Sequence, residues 1–169
     1  MKKAILAVLV ALVIVAMAAT PVLAAPKGTN NANSTNVFLF PKDTTTWEYI
    51  TDGAWAKVEY VLDGTEISCT LKAHDLEPGA TYKLISYNDP WGSNPQSVVI
   101  LSGTADKNGK LFTETEEAQD IGDPSTTDLG TGYKIWLVPD DAVDNDGSFN
   151  GWDGDAYLYE GNIISAPED

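Results

Sequence analysis

Two runs of strict alternation flank Asp63-Gly64, and they limit the fold more than any other feature of the chain. Ala56, Val58, Tyr60 and Leu62 alternate with Lys57, Glu59 and Val61. Ile67, Cys69 and Leu71 then alternate with Glu66, Ser68, Thr70 and Lys72. A repeat of two places one set of side chains on one face of a strand, which a helix with 3.6 residues per turn cannot do. Asp-Gly between two such runs predicts a hairpin, because the turn needs φ > 0 and glycine adopts it at little steric cost.

The rest of the chain continues the pattern. Val37 to Phe40 is a short apolar strand ended by Pro41. Thr81 to Tyr87 puts Tyr82 and Leu84 on one face and Ile85 and Tyr87 on the other. Val98 to Ala105 leads through Asp106-Lys107-Asn108-Gly109 into Lys110 to Glu114, a second expected hairpin. Lys134 to Val138 is apolar on both faces, as a central strand should be. Tyr157 to Tyr159 and Asn162 to Ile164 close the fold. No helical period, heptad or internal repeat is present. Many short strands separated by turn signals bury their apolar faces by stacking sheets, so the expected class is an all-β antiparallel sandwich of about eight strands.

The N-terminus has a different character. Lys2 and Lys3 precede an unbroken apolar run from Ala4 to Ala19, Thr20-Pro21 breaks it, and Val22-Leu23-Ala24 offers a cleavage site. This is the anatomy of a secretory signal over residues 1–24. An uncleaved anchor is the competing reading, since Ala4 to Ala25 is long enough to span a bilayer; Pro21 argues against it. Residues 25–36 form a Pro, Gly, Asn and Ser-rich tether. They hold the sequon Asn33-Ser34-Thr35, a glycosylation acceptor in an exported chain. Residues 37–166 remain as one domain. The net charge of −15 argues against nucleic acid and anionic lipid and favours solubility and divalent cations. Cys69 is the only cysteine, so an internal disulfide is impossible, and its place in the alternation makes it a buried structural thiol.

Leu76-Glu77-Pro78-Gly79-Ala80-Thr81-Tyr82 resembles the E–F corner of fibronectin type III and related immunoglobulin-like sandwiches. There a tyrosine at the start of a strand returns its hydroxyl to the backbone upstream. Gly103 to Lys110 resembles the G-T-A-D-x-x-G hairpin of secreted sandwich modules. Over Gly53 to Tyr159 the chain is similar to a group of uncharacterised exported proteins of archaea and bacteria. The shared features are Gly53-Ala54-Trp55-Ala56-Lys57, Leu76-Glu77-Pro78-Gly79, Asp89-Pro90-Trp91, the Gly103 hairpin, Lys134-Ile135-Trp136-Leu137-Val138 and Gly151-Trp152. The resemblance implies an immunoglobulin-like β-sandwich outside the cytoplasm and carries no activity. The chain departs from the group in the aspartate content of the loop after Val138.

That loop is the first candidate site. Asp140, Asp141, Asp144, Asp146, Asp153 and Asp155 are interspersed with Asn145, Asn150, Gly147, Gly151 and Gly154. Calcium takes six to eight hard oxygen ligands, and a loop of this composition can gather them. As an EF-hand it is incomplete: Ala142 would stand first, Asp153 rather than Glu twelfth, and no helices flank it. The plain alternative is a solvated, self-repelling loop. A second acidic stretch, Glu114 to Asp128, is too dispersed to converge on a metal.

The second candidate is aromatic. Five tryptophans are many for one such domain. Trp55 and Trp136 lie in strands and read as packing. Trp91 and Trp152 lie in turn-forming segments beside Asp89 and Asp153, the setting in which a ring stacks on a sugar while polar neighbours take its hydroxyls. The plain alternative is that both rings cap the open ends of the sandwich. Catalysis is the weakest class: His74 is the only histidine, Cys69 reads as buried, and no nucleophile elbow, HExxH or phosphate loop is present. The expectation is an exported, non-enzymatic binding or cell-surface structural module, with Ca2+ as the candidate cofactor and an extracellular glycan or envelope protein as the candidate partner. A carbohydrate-binding module using Trp91, Trp152 and Asp89 is the alternative.

Overall fold

The protein is described by a computed structural model, over residues 36–89, 96–127 and 130–165. The expected signal over residues 1–24, most of the expected tether with Asn33, and Trp91 lie outside these residues. The described residues form eleven strands: β1 (Asn36–Phe40), β2 (Trp55–Asp63), β3 (Glu66–His74), β4 (Thr81–Tyr87), β5 (Ser97–Thr104), β6 (Leu111–Glu114), β7 (Gln119–Asp120), β8 (Ser125–Thr127), β9 (Gly130–Pro139), β10 (Leu158–Glu160) and β11 (Ile164–Ser165). Among the described residues the only helical pieces are two 3-10 turns, Asp140–Ala142 and Gly154–Ala156. Every strand pairing is antiparallel. The all-β class expected from the alternation is the one the chain adopts.

Eight strands follow one continuous path, β5-β4-β9-β10-β1-β2-β3-β6, with β7 attached to β3 and with β8 and β11 attached to β9. The path curls until its two ends nearly meet. There the Thr113 hydroxyl donates to the Ser102 carbonyl at 3.4 Å, and Leu111 packs over Gly103, where no Cβ intervenes. The halves of the curled sheet face each other, sandwich-like, across a core built from both. Leu39, Val58, Leu71, Leu84, Ile135 and Leu137 are all buried in it. Cys69 joins this core, and burial pushes its thiol up to about 12.

The first hairpin forms as the alternation requires. Its register runs from Trp55↔His74 to Asp63↔Glu66, which leaves Gly64 and Thr65 in the turn. Gly64 takes φ 61° at the first central position, where a type II′ turn places glycine. The second expected hairpin keeps its turn but not its ladder. Asp106 Oδ1 accepts from the backbone N–H groups of Asn108 and Lys110, yet β6 pairs with β3. The corner at Tyr82 is present: the Glu77 N–H donates to the Tyr82 hydroxyl at 3.2 Å.

One strand needs two covers. Tyr133, Ile135 and Leu137 of β9 point into the main core, while Trp136 and Val138 point out of it. Ile85 and Tyr87 of β4 and Tyr159 of β10 share that outward face. The segment after Pro139 folds back over it and buries Val143 and Tyr157 there, with Phe149 packed alongside. Lys83 pins this cover, donating from Nζ to the carbonyls of Asp140 at 3.0 Å and Val143 at 2.5 Å. The Ser97 hydroxyl donates to the Gly147 carbonyl at 2.9 Å. Gly147 itself has φ 85° and lies so close to the Ser97 carbonyl that a Cβ would not fit.

Tyr82→Phe removes the acceptor for the Glu77 N–H while keeping the ring, and should cost about 1 kcal/mol. Urea denaturation measures it; an unchanged midpoint would mean that this hydroxyl does not tie the corner.

Candidate functional site

The cover leaves a hollow on the outer face of β4, β9 and β10. Tyr87 comes from β4, Lys134 and Trp136 from β9, and Tyr159 and Glu160 from β10. The loop after β1 adds Lys42, Trp47 and Tyr49, Asp89 comes from two residues past the end of β4, and the cover adds Trp152. Together they line a cavity of about 580 Å³.

Aromatic rings form most of its wall. Tyr87 stacks on Trp136 with centroids 4.1 Å apart and planes at 10°. Tyr159 meets Trp136 edge-on at 5.2 Å. Nearer the solvent, Trp47 and Trp152 lie 6.3 Å apart; they are 52% and 47% exposed, against 7% for Trp136. Trp47 has φ 60°, a conformation that is rare for a bulky side chain and costs energy to hold. Asp43 holds it there. Its side-chain Oδ1 accepts from the N–H groups of Thr45 and Thr46, and its carbonyl accepts from the Trp47 N–H at 2.7 Å. Those backbone donors also lower the Asp43 pKa.

Charge enters at four points. Lys134 Nζ pairs with Asp89 Oδ2 at 2.7 Å. Lys42 Nζ lies 4.6 Å from the Tyr49 ring centre and 5.3 Å from that of Tyr159, within cation–π range. Glu160 is 3% exposed, and the Tyr49 hydroxyl donates to its backbone carbonyl at 2.6 Å. Burial pushes the Glu160 carboxyl up to about 8, opposed by its own backbone N–H and more weakly by Lys42, Lys134 and the Trp136 indole. Glu160 Oε2 and Trp136 Nε1 are both buried and neither completes a hydrogen bond inside the protein. The indole therefore acts on the carboxyl from a geometry short of a hydrogen bond. Buried polar atoms left in this state cost about 1–3 kcal/mol each.

Of the three aromatic-site residues expected from sequence, Asp89 and Trp152 line this one cavity, and Trp91 lies outside the described residues. Trp152 is neither fully buried as a cap nor free of the fold: it sits edge-on to Trp136 and Tyr157. Trp136, read as packing, does pack, but also forms the inner wall. Lys42, Trp47, Tyr49 and Glu160 were not singled out by the sequence. Trp47 and Tyr49, two aromatics in a Thr-rich loop, were the available signal.

The aspartates after Val138 are dispersed over the cover. Asp140 pairs with Lys83 at 3.2 Å. Asp144 Oδ1 accepts from the Asn150 amide at 2.8 Å, Asp146 Oδ1 from the Ser148 N–H at 3.0 Å, and Asp155 Oδ1 from the Thr44 hydroxyl at 2.7 Å. Asp141 and Asp153 are exposed. Among the described residues no three acidic, histidine or cysteine side chains converge as a metal would require. His74 stacks on Trp55 at 4.5 Å and does not line the cavity. No family model, curated protein or solved structure matches this chain.

The raised Glu160 pKa has a sign. The unfolded chain releases this proton near 4.5 and the native state near 8. Its stabilising contribution is therefore complete below the lower value and is lost as pH rises towards the upper one. Glu160→Gln keeps the shape without the charge. Relative to that variant, the parent should lose on the order of 2–4 kcal/mol between pH 5 and pH 8, read by urea denaturation across pH. A constant difference between the two would show an ordinary carboxylate.

Proposed function

We propose that this protein is an exported, non-enzymatic carbohydrate-binding module that takes a sugar ring into the cavity between Trp47, Trp152 and Glu160. One observation carries the reading: Glu160 and Trp136 both line an aromatic-walled hollow, and each keeps a buried polar atom, Oε2 and Nε1, without a hydrogen-bond partner. A sugar has apolar C–H faces for the rings and hydroxyls that both donate and accept. It satisfies the walls and the two atoms together.

Competing ligand classes fit less well. A purely apolar molecule would leave both buried atoms unsatisfied. An organic cation would meet Lys42, whose ammonium already occupies the faces of Tyr49 and Tyr159. The half-exposed pair Trp47 and Trp152 supports ring stacking at the entrance, as does the unfavourable backbone that Asp43 imposes on Trp47. Export is supported by Lys2, Lys3 and the apolar run that follows them.

Saturable quenching of tryptophan fluorescence by hexoses or their acidic derivatives is the expected result. Trp47→Ala and Trp152→Ala should each weaken binding about tenfold, the loss of roughly 1.4 kcal/mol of stacking. If no sugar of either kind changes the spectrum, or if both variants bind like the parent, the reading fails.

A further inference from the structure

We infer that the sugar selected by this cavity is an anionic pyranose, one bearing a carboxylate or sulfate, held by Lys42 and Lys134 with Glu160 as hydrogen-bond donor. The inference rests on the carbohydrate reading and deepens it.

The chain has 25 acidic residues against 10 basic ones, all lysine. Lys57 and Lys72 share the single carboxylate of Glu59. Lys83 is buried under the cover, bound to carbonyls. Lys107 and Lys110 lie at the turn after β5. Lys42 and Lys134 both line one cavity. On a protein this acidic, two ammoniums in a shared hollow set its local charge against that of the surface. Beyond about 8–10 Å the surrounding carboxylates are screened in ordinary salt, so the near groups decide what binds.

Asp89 and Glu160 are the carboxyls of the lining, and Asp153 and Asp155 act on Tyr159 from the cover. Asp89 pairs with Lys134 at 2.7 Å. Glu160 is buried, and its Oε2 finds no donor within the protein. Burial without a partner disfavours the charged form, which raises the Glu160 pKa and favours its protonated state. The lining then holds two positive groups and one negative. A protonated Glu160 is also a donor, suited to a ring hydroxyl or to an anionic oxygen. Among the described residues, the remaining titratable groups lining the cavity are the phenols of Tyr49, Tyr87 and Tyr159. Tyr49 donates to its carbonyl, and burial raises the pKa of Tyr87 and Tyr159 above the ordinary value. Neither of these two competes for the proton below pH 9. Ionising Glu160 would balance the lining at two against two and replace a donor by a repelling charge.

The test uses the full chain and isothermal titration with glucose, glucuronate and glucose 6-sulfate, at pH 6.5 and pH 9. At pH 6.5 at least one anionic sugar should bind ten or more times tighter than glucose, and the stronger of the two identifies the charged group. At pH 9 that margin should fall below threefold. Lys42→Gln should reduce the margin similarly at pH 6.5, with circular dichroism confirming the fold; if that variant does not fold, the pH comparison on the parent decides alone. Glucose binding as tightly as both anions at pH 6.5 overturns this inference and leaves the carbohydrate reading standing. A margin that survives both pH 9 and Lys42→Gln also overturns it, by placing the attraction elsewhere. Absence of binding by all three, and by the galactose and mannose counterparts, overturns the carbohydrate reading as well.

Discussion

Strand β9 is apolar on both faces, and a single core can bury only one of them. Ile135 and Leu137 are satisfied inside the curled sheet, while Trp136 and Val138 are left facing outwards. Exposed, that second face would be a strip of aromatic and aliphatic surface on the middle strand of a sheet, a strong liability in water. The chain meets the demand by folding residues 140–157 back across it. Val143, Phe149 and Tyr157 supply the apolar underside of this cover, and the aspartates supply its wet outer surface. Much of what is distinctive in the molecule descends from that arrangement. It explains a buried lysine, Lys83, whose ammonium is held by the carbonyls of the cover. It also explains a glycine at position 147, where the cover passes the Ser97 carbonyl too closely for any side chain.

The cover is incomplete at one end, and there the cavity lies. The loop after β1 brings Trp47 up beside Trp152, so aromatic rings from two distant segments close the sides while leaving an entrance. Both tryptophans keep about half of their surface in solvent, although burying them would stabilise the fold. In the lining a glutamate is buried without a partner for one of its oxygens. Packing alone would favour an apolar residue at that position. Unfavourable backbone at Trp47, half-wet rings and an unsatisfied acid thus occur together at one place, which is the pattern expected where stability has been given up for binding.

How much of this was legible in the sequence varies with how local the determining forces are. The β2–β3 hairpin and the bounds of β4 followed from side-chain alternation and turn chemistry, both of which act over a few residues. The turn at Asp106 was readable for the same reason. That β6 pairs with β3 was not, because a turn specifies its own shape and not the partner of the strand it releases. Strands β7 and β8 are two and three residues long, too short for any period, and exist only because β3 and β9 offer edges. In the aspartate loop the acids drew attention, whereas the folding information lay in Val143, Phe149 and Tyr157 between them. Asp89 and Trp152, which line the cavity, drew attention through their turn-forming surroundings. Glu160 did not: a charged residue ending a strand reads as a solvated one, and the loop that meets it carries Tyr49, 111 residues earlier in the chain, whose hydroxyl bonds the Glu160 carbonyl.

The charge selection inferred for the cavity depends on Glu160 being a buried carboxyl that keeps its proton at neutral pH. The direct measurement is a carbon-13 NMR titration of glutamate carboxyl groups in the full chain, with the Glu160 signal assigned from its loss in Glu160→Gln. The account predicts a midpoint near pH 8 for this one resonance. A midpoint near 4.5 would mean that Glu160 is solvated and ionised, and would contradict both the geometry of the cavity and the charge selection drawn from it.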